Sequence, residues 1–416
     1  MTELASAIAY LEAQSFDSLL ALFWFVAIFE LPRYGIPFLL TALTPGRTRP
    51  SAEFEGRVSV IIAGHSEEQA IAACVHGLVE QSRRPDEIVV VSDGSSDAMR
   101  RRIAELRAAG LIDAVHATDL RSGKSAGTNM AARLSTGQIV INVDCDCSFD
   151  RYAIRNVLRP FADPAVAAVC GNILPRNTDR SLIARFQAIE YAISISLGKQ
   201  AGDRLDQITC VSGAFGAFRR DAYDAVGGLD AGGGEDLDLT LSLRQAGWGI
   251  RFAADAMCYT DVPATRAALV GQRLRWERDA VRLRYRKHAR MLNPFASGFR
   301  VSELVHELEF LLFNVVAAAA LPVYVLWLFA MYGASAWIVM GAAQLGLMVL
   351  DLLVFILAAS RTPKLDGLSL LPDVPGYSLF SIYMRMVRLA AYLQEWIFRS
   401  SYADNYVPEK VHRVRG

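Results

Sequence analysis

Several features that would assign a class at once are missing from this sequence. Its six cysteines, at 74, 145, 147, 170, 210 and 258, form no C-x-x-C pair, so the spacing of a thiolate zinc site is absent. No G-x-G-x-x-G follows the first predicted strand, which removes the usual dinucleotide fingerprint. Lysine plus arginine and aspartate plus glutamate each number 43. The formal charge is therefore zero, and the chain has no overall bias toward nucleic acid. No basic region precedes the first apolar run, where Glu3, Glu12 and Asp17 stand instead, and no cleavable signal peptide is expected. Gly123-Lys124-Ser125 resembles the end of a phosphate-binding P-loop, but Thr118 occupies the position of that motif's first glycine, and the reading is rejected.

Apolar residues are plentiful. They make up 53% of the 416 residues, and the mean hydropathy is +0.25. One water-facing domain plus a few membrane segments fits that balance. Apolar segments run over 18–43 (interrupted by Glu30, Pro32 and Arg33), 310–332 and 334–359. Crossing a bilayer takes about 20 residues of helix. Arg47, Arg49 and Arg57 follow the first segment, Arg300 precedes the second, and Arg361 and Lys364 follow the third. By the positive-inside rule, the middle of the chain is cytosolic. The six cysteines are then reduced thiols acting as small core hydrophobes.

The expected organisation follows from these boundaries. Residues 1–17 form an extracytoplasmic segment and 18–44 a span. Residues 45–270 form the cytosolic domain, and 271–308 are basic interfacial helices. Two spans occupy 309–359, and 360–416 is a cytosolic tail. Within that tail, 372–398 mixes apolar residues with Arg385, Arg388 and Glu395, which predicts an interfacial amphipathic helix, with a fourth span as the alternative. Asp351 is expected to face the interior of the helix bundle.

The cytosolic domain reads as α/β. Val58–Ile62, Glu87–Val91 and Gln138–Val143 are short strand-like apolar runs. Helical stretches over 67–81 and 96–109 lie between them, the pattern of βαβ units and a mostly parallel sheet. Ligands bind such sheets at the carboxyl ends of strands. Three polar segments fall there: Ala63-Gly64-His65-Ser66-Glu67, Ser92-Asp93-Gly94 and Asp144-Cys145-Asp146. Two carboxylates two apart on extended chain point the same way. Asp144 and Asp146 can therefore share one hard cation, Mg²⁺ or Mn²⁺, with phosphate oxygens.

Further on, Val211-Ser212-Gly213 and then Gly232-Gly233-Gly234-Glu235-Asp236 read as flexible loops, the second opening a helix. Gln272-x-x-Arg275-Trp276 begins a basic stretch opposed locally only by Glu277 and Asp279. Much of that stretch is expected to lie on anionic lipid headgroups. Arg275 beside Trp276 points to something more specific, because guanidinium suits a diphosphate and an indole face suits a sugar ring.

Together these motifs resemble the processive class of family-2 glycosyltransferases, which makes cellulose, chitin oligosaccharides, hyaluronan and poly-N-acetylglucosamine. The likeness covers roughly residues 55–300 and rests on the order of the motifs. Asp93 matches the family's second-strand aspartate, Asp144 and Asp146 its D-x-D, and Gly234-Glu235-Asp236 its T-E-D with glycine for threonine. Gln272, Arg275 and Trp276 match its Q-x-x-R-W.

The resemblance implies a GT-A-like domain inserted between transmembrane helices. A UDP-sugar donor would be held by His65, Glu67, Asp93, Lys124, Asp144 and Asp146, with the metal on Asp144 and Asp146. Asp236 would be the general base, with Glu235 beside it. Ser212, Gly213, Gln272, Arg275 and Trp276 would bind the acceptor and diphosphate. The implied partners are a polysaccharide or glycolipid acceptor, the lipid bilayer and further membrane or periplasmic export subunits, with no nucleic acid. The implied location is a multi-pass plasma-membrane protein with its catalytic domain in the cytosol.

Overall fold

The computed structural model describes residues 3–46 and 54–403. Arg47 and Arg49, used above for orientation, and the tail 404–416 lie outside the described residues.

One eight-stranded sheet organises the middle of the chain. Its strands are β1 Val58–Gly64, β2 Glu87–Asp93, β3 Ala114–Thr118, β4 Ile139–Val143, β5 Ser148–Phe149, β6 Val166–Pro175, β7 Phe215–Arg219 and β8 Gly249–Thr260. Their spatial order is β3-β2-β1-β4-β7-β6-β8-β5. β1 pairs in parallel with β2 and β4, β2 with β3, and β6 with β8. β7 runs antiparallel between β4 and β6, and β5 is antiparallel to β8.

The unbroken apolar runs of β1, β2 and β4 have a direct cause. Val58, Val60 and Ile62 of β1 face one core with Ile88, Val90, Ile139 and Ile141. Ile61 faces the other core with Val89, Val91 and Val140. Side chains alternate across a strand, so a strand covered on both faces is apolar throughout. Each such valine or isoleucine contributes roughly 1.5–3 kcal/mol by burial.

The helices that shape the site are numbered here in chain order. They are α1 Leu31–Leu43, α2 Lys124–Leu134, α3 Leu182–Glu190, α4 Gly198–Arg204, α5 Glu235–Gln245, α6 Arg266–Arg282, α7 Ala317–Tyr332, α8 Ala336–Arg361 and α9 Val374–Phe398. A π-helical turn, Tyr191–Leu197, joins α3 to α4. Ser181 caps α3 by accepting from the Ala184 N–H, and Thr265 caps α6 by accepting from the Ala268 N–H.

Two stretches, Val26–Leu43 and Val301–Arg361, are long and apolar enough to cross a membrane. They leave large apolar side chains exposed, among them Leu39, Val323, Leu326, Leu345 and Leu353. Glu30, which breaks the first apolar run, is paired with Arg385 of α9, and both are buried. Asp351 is buried in α8 and hydrogen-bonds Ser378 of α9. The tail helix is therefore packed into the bundle along its buried side.

α9 also lies along α6. Arg388 Nε donates to Glu277 at 3.1 Å, Tyr392 Oη to Glu277 at 2.6 Å, and Arg266 Nε to the Tyr383 hydroxyl at 2.9 Å. This modifies the lipid-headgroup expectation for the basic stretch. Arg273 pairs with Glu190 at 2.6 Å, Arg284 with Glu307 at 2.6 Å and Arg286 with Glu395 at 2.5 Å. These carboxylates lie 83, 23 and 109 residues from their arginines, outside the basic stretch 271–300, so its excess of arginine hides a balance made in three dimensions. Removing one partner of a buried pair leaves an uncompensated charge and costs about 3–5 kcal/mol.

Candidate active site

Strand order reverses between β1 and β4. From β1 the chain steps outward to β2 and β3, then returns to the other side of β1 as β4. Such a switch point leaves a crevice at the carboxyl ends of the two strands. A cavity of about 270 Å³ lies there, lined by Ala63, Gly64, His65, Glu67, Asp93, Arg121, Lys124, Asp144, Cys145 and Asp146. All six residues expected at the donor line this one cavity.

Each is held by its neighbours. Asp93 ends β2 buried, and its two oxygens accept the backbone N–H groups of Ser122 and Gly123 at 2.7 and 2.6 Å. Thr118 Oγ1 also donates to Asp93 Oδ1 at 3.4 Å, so the carboxylate fixes the loop leading into α2 and keeps its spare acceptor capacity on Oδ2. The imidazole Nδ1 of His65 lies 2.8 Å from the Asp93 carbonyl oxygen. Lys124 opens α2, and its Nζ lies 2.7 Å from Asp144 Oδ1 and 3.6 Å from Glu235 Oε1. Asp146 accepts from Thr260 Oγ1 at 3.4 Å. Burial, then the negative charge of Asp144, holds the Asp146 carboxyl above its usual range. Burial, then Asp146 and Asp144, does the same to Glu67.

Asp236 stands on the first turn of α5, where a helix N-terminus favours negative charge. Its Oδ2 accepts the Gly213 N–H at 3.1 Å, and the Gly213 carbonyl accepts from Asn142 Nδ2 of β4 at 2.7 Å. A Cβ at position 213 would lie 3.2 Å from Lys124 Nζ and 3.7 Å from Asp236 Oδ2. A side chain there would press on the Lys124 ammonium, which would have to give by a few tenths of an ångström. Burial pushes the neighbouring Glu235 carboxyl up to about 6, against the opposing pull of Lys124.

The glycine at the T-E-D position has a geometric reason. Gly234 has a φ of +69°, and a Cβ there would meet Leu283 Cδ1 at 2.9 Å and Asp279 Cβ at 3.0 Å. Arg282 of α6 donates to the Gly233 carbonyl at 2.7 Å. Gln272, Arg275, Trp276 and Asp279 fall at i, i+3, i+4 and i+7 of α6, one face of the helix. That face carries the Q-x-x-R-W residues, and Asp279 on it packs against the glycine turn before Glu235. Trp276 is 42% exposed and lies under the Arg273 guanidinium, 4.7 Å from the ring centroid. Gln272 Oε1 is buried without a hydrogen-bond partner among the described residues. Gln272, Arg275 and Trp276 do not line the cavity at the switch point, and neither do Ser212 and Gly213.

A second cavity, of about 320 Å³, lies between the sheet domain and the apolar helices. Thr209, Lys199 and Gly198 line it from the side of the Ser212 loop, and Tyr34, Phe313 and Tyr377 from the apolar helices. Glu190, Ile193, Ser194, Leu197 and Gly198 line it as one helical stripe across the π-turn.

Among the described residues no three histidine, cysteine, aspartate or glutamate side chains converge as a complete metal cage. The donor set that remains is two hard carboxylates, Asp144 and Asp146. That set fits an ion which takes one or two carboxylates and completes its shell with substrate phosphates and water.

Arg121, Asn142, Lys199, Thr260 and Asp279 were not singled out from sequence. Asn142 had a signal, an amide inside an otherwise apolar strand just before Asp144. The others are brought in by loops and helices whose placement only the fold defines.

The topology, with carboxylates gathered at the switch point, is that of a GT-A-like α/β domain. A mannosyltransferase from Pyrobaculum calidifontis, solved in complex with GDP-Man and Mn²⁺, superposes with a TM-score of 0.61, at 20% identity over 91% of this chain and 99% of that one. The chain belongs to the family described as glycosyltransferase like family 2, which matches residues 56–278. It is 28% identical over 238 residues to an N-acetylglucosaminyltransferase of Azorhizobium caulinodans, covering 54% of this chain and 60% of that protein. It is 29% identical over 226 residues to a poly-beta-1,6-N-acetyl-D-glucosamine synthase of Staphylococcus aureus, covering 54% of each. The chain thus spans somewhat more than half the length of these relatives.

Proposed function

We propose that this glycosyltransferase is membrane-embedded and inverting, and that it transfers sugar units from a UDP-sugar to a growing β-linked polysaccharide. The observation that carries the reading is the gathering of His65, Glu67, Asp93, Lys124, Asp144 and Asp146 around one cavity, with Asp236 just beyond Gly213. The exposed apolar faces of Val26–Leu43 and Val301–Arg361 support placement in the plasma membrane, with the sheet domain in the cytosol. The names of the relatives support an N-acetylglucosamine donor and a polymeric product.

In this reading His65, Glu67 and Asp93 receive the nucleoside. Asp144 and Asp146 hold Mg²⁺ or Mn²⁺ against the donor diphosphate; the ion, when bound, supplies positive charge to the departing phosphate oxygens. Arg275 adds a guanidinium to the same diphosphate, and Trp276 stacks on the acceptor sugar. The acceptor reaches the site from the second cavity, past Thr209 and Ser212. Asp236 takes the proton from the acceptor hydroxyl as that oxygen attacks the anomeric carbon. The bond from the anomeric carbon to the diphosphate breaks with its electron pair leaving on the nucleoside diphosphate. A single displacement converts an α-linked donor into a β-linked product.

The test is to incubate membranes containing this chain with labelled UDP-sugars and Mg²⁺ or Mn²⁺ and to size the product. Long chains from one donor are expected. A single transferred sugar would point to one addition on a lipid-linked acceptor, and incorporation from no donor to a scaffold role.

A further inference from the structure

Lys199 of α4 is a buried cation to which no part of the proposed chemistry gives a role. It is 7% exposed. Its ammonium contacts Cys170 Sγ at 3.0 Å and Ser212 Oγ at 3.1 Å. Neither is a carboxylate, and none among the described residues forms an ion pair with it. An ammonium carries three donors, and a buried charge without a counter-ion is costly. Buried arginines differ in this respect: Arg273 and Arg284 each have a glutamate at 2.6 Å.

Its position is unusual as well. On one side it holds Ser212, whose next residue donates to Asp236, and Asp236 is near enough to act on it electrostatically. On the other side it lines the second cavity beside Gly198 and Thr209. That wall follows the π-helical turn Tyr191–Leu197, and π-bulges inside helices often mark functional positions. Lys199 therefore stands between the loop that positions Asp236 and the larger cavity, with donor capacity left over.

We propose that Lys199 is an acceptor-contact residue: its ammonium donates to an oxygen, hydroxyl or amide carbonyl, of the acceptor glycan at the point where it meets Asp236. This rests on the transferase reading above and adds a specificity-determining residue to it. It also accounts for the missing counter-ion, because the bound glycan supplies the third hydrogen bond and an ammonium without a fixed carboxylate partner remains available to it.

The experiment uses the full chain in nanodiscs and measures rates against acceptor oligosaccharide and, separately, UDP affinity by titration. Lys199→Met is expected to raise the acceptor KM about tenfold, the loss of one hydrogen bond to a charged group. UDP affinity should hold, and Lys199→Arg should recover most of the acceptor affinity. Should Met not be accommodated, seen as lost UDP binding, Lys199→Gln keeps a hydrogen bond to Ser212 and decides by the same readouts. A fall in kcat with acceptor KM unchanged would overturn the proposal in favour of mere support for the Ser212 loop. If the unaltered chain transfers no sugar while still binding UDP, the transferase reading itself fails, and the role of Lys199 with it.

Discussion

Lys124 and Asp144 are joined by a 2.7 Å ion pair, and the same ammonium lies 3.6 Å from Glu235. One side chain at the start of α2 thus links the D-x-D loop after β4 to the acidic turn at the start of α5. Lys124 also competes for the oxygen that a divalent ion would use. Lys124→Met should therefore act in opposite directions on two measurements. Mn²⁺ should bind more tightly in the absence of donor, because Asp144 has lost its competitor. The rate of transfer should fall about a hundredfold, because a cation placed among the reacting groups is gone. Parallel changes in both would contradict this arrangement.

Gly234 offers a test of the departure from T-E-D. Restoring the family residue with Gly234→Thr places a β-branched side chain at a φ of +69° and against Asp279. Left-handed backbone and overpacking together should cost about 2–4 kcal/mol. The unfolding midpoint should drop by roughly 2–5 °C. Adding Asp279→Ala should not recover that loss, since alanine keeps the Cβ that the new side chain meets and leaves the buried Arg282 without its partner at 2.9 Å. A Gly234→Thr chain as stable as its parent would show that the turn adapts freely.

Much of this arrangement can be read from the chain itself. The apolar runs at 58–62, 87–91 and 138–143 become β1, β2 and β4 because those strands are buried on both faces and are apolar at every step. Their polar ends, His65, Asp93 and Asp144, then fall at the switch point by topology alone. β6, β7 and β8 are harder to see. Val166–Pro175 and Gly249–Thr260 are long, bulged and paired across a register shift, so no clean period marks them. The arginines of 271–300 mislead for a different reason. Glu190, Glu307 and Glu395 neutralise them from positions up to about a hundred residues away, a balance invisible to any local count of charge. Lys199 is similarly hidden, because only the fold sets it behind Ser212.

Glu235 predicts a pH dependence of stability. Its carboxyl is pushed up to about 6, first by burial, with the charge of Asp236 adding to it. The folded chain therefore holds this proton more tightly than the unfolded chain, whose glutamate titrates near 4.3. Stability from this group is present below about pH 4.3, falls as pH rises toward about 6 and is absent above. The amount is on the order of 1–2 kcal/mol. Glu235→Gln should flatten that part of the stability profile and leave a more stable protein at neutral pH. Denaturant midpoints of both chains between pH 4 and 8 check this, and identical profiles would remove the buried-acid interpretation.

Asp236 carries the sharpest chemical prediction. Its Oδ2 accepts the Gly213 N–H and its Oδ1 the Leu237 N–H. Asparagine can still accept from Gly213 through its amide oxygen, so Asp236→Asn preserves the fit of the loop and removes basicity. General-base assistance is worth about 10²–10⁴-fold. Transfer should fall by about that factor at every acceptor concentration, with UDP affinity unchanged, because Asp236 lies outside the donor cavity. The comparison with Lys199→Met is then diagnostic. Loss at Asp236 should appear in kcat, whereas loss at Lys199 should appear in acceptor KM. Activity in Asp236→Asn within a few-fold of the parent would exclude Asp236 as the base and shift attention to Glu235, the neighbouring carboxylate on the first turn of α5.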